Sequence, residues 1–201
     1  GVDVTQDATR NVSLPQFFTV QGRVVNSSGV ALSGISVNIY SGGYASPEGS
    51  LTANLTSASN GSFSFRATGF GYRATLTPPD GTSYVQTRID FSAWGDLSRD
   101  FVLESKKTVS GILTTYEGAP ASGVRIEAYS DAGLGRGSTT TNSDGSYSIT
   151  GLAPGIYRLM VFGVDSTVIP GLNGTWYTES LVTGVDVTQD ATRNVSLPQF
   201  F

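Results

Sequence analysis

The first 18 residues of the chain, GVDVTQDATRNVSLPQFF, recur letter for letter as residues 184–201. Identity on that scale is the mark of a tandem array, and the offset (184 − 1) gives a period of 183 residues. A weaker repeat lies inside this period. Thr19-Val20-Gln21-Gly22 corresponds to Thr108-Val109-Ser110-Gly111, and Gly34 with Tyr40 corresponds to Gly123 with Tyr129. Asn60-Gly61-Ser62-Phe63 corresponds to Asp144-Gly145-Ser146-Tyr147, and Tyr72-Arg73 to Tyr157-Arg158. The run from Asp96 to Leu103 corresponds to the run from Asp190 to Leu197. The period therefore reads as two diverged domains, expected at 17–105 and 106–201. Residues 1–16 then read as the closing strand of a preceding copy. A domain of about 90 residues buries roughly two thirds of its unfolded surface, enough for a modest core without disulfides.

Within each domain the apolar residues alternate. Ile35, Val37 and Ile39 share one side of their segment, and so do Phe63 and Phe65, Tyr147 and Ile149, and Val195 and Leu197. A period of two, with serines and asparagines between, predicts strands with one face on a core and one in water. Ser28-Gly29, Asn60-Gly61, Asp80-Gly81 and Asp144-Gly145 punctuate the strands as tight turns. The expected fold class is all-β: two tandem seven-stranded antiparallel β-sandwiches plus an N-terminal orphan strand.

Domain two carries the succession Thr108-Val109-Ser110-Gly111, Gly123-Val124-Arg125-Ile126, Thr141-Asn142-Ser143-Asp144-Gly145-Ser146-Tyr147-Ser148-Ile149 and Leu152-Ala153-Pro154-Gly155-Ile156-Tyr157-Arg158-Leu159. This order resembles the carboxypeptidase regulatory-like domain, within the prealbumin-like and collagen-adhesin B-type group. Domain one keeps the first three elements and departs at the fourth, where Phe70-Gly71-Tyr72 replaces the Leu-x-Pro-Gly-x-Tyr form. The resemblance implies accessory, spacer or adhesive roles on a bacterial or archaeal surface. It also raises the Lys–Asn crosslink that collagen-adhesin B-type domains often carry. Domain one has no lysine, and domain two offers only Lys107 and Asn194 without the expected Glu motif, so Lys106 and Lys107 read as a solvated linker.

Composition narrows the chemistry. Net charge is −4 with 12 basic residues and no basic cluster, which argues against nucleic-acid binding. No apolar run reaches the ~18 residues of a membrane helix, so no membrane insertion is expected in this segment. With neither cysteine nor histidine, the chain lacks the usual nucleophile–base pairs and the commonest transition-metal ligands. Asp90, Asp96, Asp100, Glu104, Glu127, Asp131, Asp144, Asp165 and Glu179 are scattered, and no spacing marks two of them as a catalytic pair. No enzymatic activity, no cofactor and no metal are expected. Asn142-Ser143-Asp144-Gly145 reads as a hairpin turn rather than a calcium loop.

Two features point outward. Asn11, Asn26, Asn54, Asn60, Asn173 and Asn194 stand in Asn-x-Ser/Thr sequons, six of the eight asparagines, which marks them as candidate glycosylation sites on an exported chain. Trp94 and Trp176, with Tyr84 and Tyr177, are candidate sugar-stacking aromatics or caps on the open ends of the sandwiches. The expected function is a structural repeat of an extracellular or cell-surface stalk or filament, assembling head to tail; the alternative is an adhesin or carbohydrate-binding accessory module. The expected partners are neighbouring copies and glycans. Val4, Val12, Leu14, Phe17, Phe18, Phe200 and Phe201 are the candidate inter-repeat contacts.

Overall fold

The computed structural model describes residues 16–42, 50–69, 71–169 and 176–199. The described residues form strands and turns, with no helix among them. The chain divides into two compact units. One takes the residues up to Val25, with Val30–Leu76 and Arg88–Phe101; the other takes Asn26–Gly29, Thr77–Thr87 and everything from Val102 onward.

Among the described residues seven strands precede residue 103: β1 (Phe18–Val25), β2 (Ser36–Ser41), β3 (Ser50–Thr56), β4 (Ser62–Ala67), β5 (Gly71–Thr77), β6 (Thr87–Ser92) and β7 (Leu97–Val102). They form one sheet in the order β4-β1-β7 and another in the order β3-β2-β5-β6. Phe63 and Phe65 of β4 and Phe101 of β7 come from the first sheet, Tyr72 of β5 and Phe91 of β6 from the second. Their rings meet at centroid distances of 5.1 Å (Phe63–Phe101), 5.3 Å (Phe91–Phe101) and 5.7 Å (Phe65–Tyr72). Tilted and edge-on contacts of this kind suit the ring quadrupole.

The second unit is built on β8 (Lys107–Thr114), β9 (Arg125–Tyr129), β10 (Arg136–Thr140), β11 (Ser146–Leu152), β12 (Ile156–Val164), β13 (Trp176–Asp186), β14 (Ala191–Thr192) and β15 (Val195–Ser196). One sheet runs β10-β9-β12-β13; the other runs β11-β8-β14, with β15 also on β8. Its core is mainly aliphatic, with Leu113, Ile126, Ile149, Leu159, Val161, Val195 and Leu197 all buried around Tyr147 and Tyr157. The residues expected inward from their alternation are inward: Ile35, Val37, Ile39, Phe63, Phe65, Tyr147, Ile149, Val195 and Leu197 are buried.

The antiparallel expectation is corrected at the closing strand. β14 and β15 both run parallel to β8. β7 does the same on β1, because Asp96 meets Thr19 and Asp100 meets Arg23, both partners rising together. A parallel neighbour needs a crossover connection, and the chain makes one by passing through the other sheet, as β5 and β6 in the first unit and β12 and β13 in the second, before the closing strand joins the first.

Both units share a buried hydroxyl that holds a chain reversal. Thr141 Oγ1 accepts the Val124 N–H at 2.9 Å and donates to the Ala121 carbonyl at 2.6 Å. Ser57 Oγ accepts the Ile35 N–H at 2.9 Å and donates to the Leu32 carbonyl at 2.8 Å. Thr141→Val keeps the volume but orphans both backbone groups, each at a cost of about 1–3 kcal/mol. Urea unfolding is expected to show that loss for Thr141→Val and near-native stability for Thr141→Ser; a Val variant as stable as wild type would refute this role.

Candidate functional site

The feature that the two units share most closely, and that the terminal repeat duplicates, is the seam where the closing strand lies against the first strand. In the second unit the seam is held from one end to the other. The Thr108 N–H donates to Asp190 Oδ1 at 2.8 Å, the Arg193 N–H to the Ser110 carbonyl at 2.7 Å, and the Ile112 N–H to Asn194 Oδ1 at 3.0 Å. Thr114 and Ser196 hydroxyls meet at 2.9 Å, and the Leu197 N–H reaches the Thr114 carbonyl at 2.8 Å. Below these polar contacts Val187, Val195 and Leu197 are buried in the core.

Gly111 lets the strand come this close. A Cβ there would stand 1.7 Å from the Arg193 carbonyl oxygen and 3.1 Å from the Tyr147 ring. Tyr147 lies directly opposite Gly111 in the sheet, and its hydroxyl donates to that same Arg193 carbonyl at 2.5 Å. The glycine, the aromatic and the closing strand thus form one lock. The bond satisfies Arg193 at the break between β14 and β15. Burial pushes the Tyr147 phenol up to about 12, against a lesser opposing pull from Arg193.

The first unit has the same seam with different chemistry. Phe63 lies opposite Gly22, and a Cβ on Gly22 would stand 2.1 Å from its ring. Phenylalanine has no hydroxyl, and β7 runs unbroken from Leu97 to Val102. The Thr19 N–H donates to Asp96 Oδ1 at 2.7 Å, as Thr108 does to Asp190. Asp100, in the place of Asn194, grips the Arg23 guanidinium through two bonds of 3.0 and 2.9 Å. That grip holds the Asp100 carboxyl below the usual carboxylate range. Both partners are about half exposed, so the pair adds little to stability.

The remaining candidates fall as follows. Lys107 stands opposite Leu152, while Asn194 binds at Ile112, five residues along β8 and so about 17 Å away on a strand rising ~3.4 Å per residue. These two residues are not placed to crosslink. The expected solvated linker is tied: Val85 N–H reaches the Glu104 carbonyl, Lys106 N–H the Ser83 carbonyl, and Lys106 Nζ the Thr82 carbonyl. Asp144 accepts the Ser146 N–H within the turn, and its bonds from the Ser146 hydroxyl and N–H hold it below the ordinary carboxylate range. Among the described residues no group of three acidic side chains could hold a metal ion. Glu127, with 6% of its side chain exposed, sits 3.0 Å from Arg125 and 3.8 Å from Arg136. A depression of about 700 Å³ lies over the β4-β1-β7 sheet, lined by residues that include Gln21, Arg23, Ser62, Ser64, Ser98 and Asp100; its one carboxylate is the one held by Arg23.

Asn54, Asn60 and Asn194 are exposed and Asn26 is half-buried; Asn11 and Asn173 lie outside the described residues. So do Val4, Val12, Leu14, Phe200 and Phe201. Phe17 is 49% exposed and Phe18 half-buried. Trp94 is 73% exposed, so it does not cap the sandwich by burial. Tyr84 belongs to the other compact unit, and the side chains of Trp176 and Tyr177 lie outside the described residues.

Residues 108–197 match the family model of the carboxypeptidase regulatory-like domain. The matched segment begins at the first strand of the second unit and ends on Leu197, the last residue of the seam. Among solved structures, a minor pilin of the Gram-positive pathogen Streptococcus agalactiae is similar over 90% of this chain and 94% of its own, with a TM-score of 0.51 and 14% identity. A streptococcal ancillary pilin aligns over 90% of this chain with a TM-score of 0.48 and 15% identity, and the TIE protein of Bacillus anthracis with 0.36 and 14%. The chain spans 62% of that ancillary pilin and 33% of the TIE protein. No curated protein matches the sequence.

Tyr147→Phe removes the hydroxyl from the lock and leaves the Arg193 carbonyl without it. A loss of about 1–3 kcal/mol is expected in the second unit. The folded phenol's pKa of about 12 lies above its ordinary 10, so the folded state keeps a proton that the unfolded chain gives up. This contribution is intact below pH 10 and is lost as pH rises through 12. Wild-type stability should fall more steeply than that of Tyr147→Phe across that window. Parallel alkaline unfolding curves would show that the phenol plays no such part.

Proposed function

We propose that this chain is a non-catalytic structural module of an extracellular or cell-surface stalk or filament, joined head to tail with copies of itself through two repeated domains, 17–105 and 106–201. One observation carries the reading. Residues 1–14 repeat, residue for residue, the strand 184–197 that closes the second unit. Asp7, Arg10, Asn11 and Ser13 stand where Asp190, Arg193, Asn194 and Ser196 make the seam, and Val4, Val12 and Leu14 repeat the buried stripe of Val187, Val195 and Leu197. A segment with these groups fits the edge of β8 in another copy.

Two routes supply that partner edge: a continuous polypeptide array, or separate chains that complement one another by strand addition. Both give an open-ended, non-closing assembly. The fold of the minor pilin and the regulatory-like domain match support a structural rather than a catalytic part. Phe17 and Phe18, repeated as Phe200 and Phe201, serve as the apolar joint between copies. Asn11, Asn26, Asn54, Asn60, Asn173 and Asn194 are the proposed glycan sites. The open ring of Trp94 favours adhesion to glycans as a second reading, which a glycan array would test through Trp94→Ala.

Hydrogen exchange on the isolated 201-residue chain, combined with sedimentation, tests the assembly. Strand addition predicts concentration-dependent polymers with residues 4–14 protected, and a covalent array predicts monomers with those residues exchanging freely. A monomer that protects residues 4–14 against its own body would defeat both routes.

A further inference from the structure

The end of the first unit at which β1 begins is unusually aromatic and open. Three separate segments converge there: the start of β1 with Phe17 and Phe18, the end of β4 with Arg66 and the turn at Gly69, and the turn before β7 with Trp94. A Cβ on Gly69 would stand 3.3 Å from the Trp94 ring and 3.5 Å from the Phe18 ring, so both rings rest on this bare stretch of backbone. Gly69 itself, at φ +70°, holds a left-handed turn that side chains disfavour. Trp94 nevertheless keeps 73% of its surface exposed. Phe17 is 49% exposed, and the Arg66 guanidinium lies 4.7 Å from its ring centre. In the second unit Lys106, Lys107 and Thr188 stand in the places of Phe17, Phe18 and Trp94.

The chain itself states what must come near this end. Only Pro15, Gln16 and Phe17 separate Leu14 from Phe18, a reach of at most about 14 Å. In the seam, the residue identical to Leu14 is Leu197, whose N–H is bonded to the Thr114 carbonyl. Directly beyond Thr114 comes a closed turn, with Thr115 N–H on the Ala119 carbonyl and Gly118 N–H on the Thr115 carbonyl. That turn holds Tyr116, 61% exposed, and the exposed Glu117. An aromatic and an acid therefore stand beside the point where the closing strand leaves. The open end of the first unit offers aromatic rings and an arginine within that short tether.

We propose that the Phe17–Arg66–Trp94 end of the first unit is the seat for the Tyr116–Glu117 turn of the neighbouring copy whose second domain is closed by residues 1–14. This rests on the head-to-tail reading above and names the surfaces that meet. Tyr116 packs on the Trp94 face and Glu117 pairs with Arg66, so the joint has a fixed orientation rather than a free swivel.

The test is hydroxyl-radical footprinting, read peptide by peptide, on a tandem chain in which residues 19–201 are repeated after Phe201. Trp94 of the second copy is expected to react several-fold more slowly than Trp94 of the first. Tyr116→Ala in the first copy should remove that protection. Glu117→Arg should reduce it, and adding Arg66→Glu in the second copy should restore it. Equal reactivity of the two Trp94 rings, or protection indifferent to Tyr116 and Glu117, overturns the seat. Sedimentation of the 201-residue chain separates the two readings. Polymers in which Trp94 remains fully reactive overturn the seat alone. Monomers, alongside a protected Trp94 in the tandem chain, overturn strand addition alone and leave the seat standing.

Discussion

The parallel contact between first and closing strand is what the rest of each unit is arranged around. In the second unit the two backbones approach over a position with no side chain, which Gly111 supplies; Gly22 holds the corresponding place in the first unit and lies against the Phe63 ring. The vacancy is then filled from the opposite neighbour, by Phe63 in one unit and Tyr147 in the other. The aspartates at the head of the seam, Asp96 and Asp190, set the register by taking the N–H of Thr19 and Thr108. Register matters because a slip of one residue would turn Phe101 or Val195 out of the core and a polar neighbour into it.

The two units show how one scaffold tolerates different interiors. The first packs rings on rings, Phe63, Phe65, Tyr72, Phe91 and Phe101 in mutual contact, and its seam uses an exposed ion pair where the second uses an amide. The second packs aliphatic side chains and spends its aromatic hydroxyl on the closing strand. What both retain are the hydroxyls of Ser57 and Thr141, whose loss would orphan buried backbone, and the seam glycines, where any side chain would clash. Side chains that only fill volume are free to diverge as long as volume is kept.

Much of this was legible beforehand. Alternation located the buried faces, since a half-buried strand has one simple code, and the internal repeat announced that the architecture occurs twice. The direction of the closing strand was not legible, because alternation reads the same in parallel and antiparallel pairs. The fourth motif of the first domain differs in its letters and keeps its contact. Phe70-Gly71-Tyr72 departs from the form in the second domain, yet Tyr72 accepts the Thr68 N–H four residues back, just as Tyr157 donates to the Ala153 carbonyl four residues back. A hydroxyl can accept or donate, so the contact survives a change in the letters around it. The seam itself had a signal, the glycine of the first motif and the aromatic of the third, but their pairing appears only when the strands are placed side by side. The aromatic end around Trp94 was hidden because Gly69 and Trp94 are joined through the turn and not through any pattern along the chain.

The parallel seam has a mechanical consequence. β8 begins at Lys107, and the strand bonded along it departs beyond Thr114, at the opposite end. Tension applied where the chain enters and leaves this unit therefore acts along the two strands in opposite senses. The bonds from Thr108 to Leu197 are loaded together, in shear, and none can yield before its neighbours share the strain. An antiparallel closing strand would leave from the end where the first began, and the same pull would open it one bond at a time, as a zipper opens.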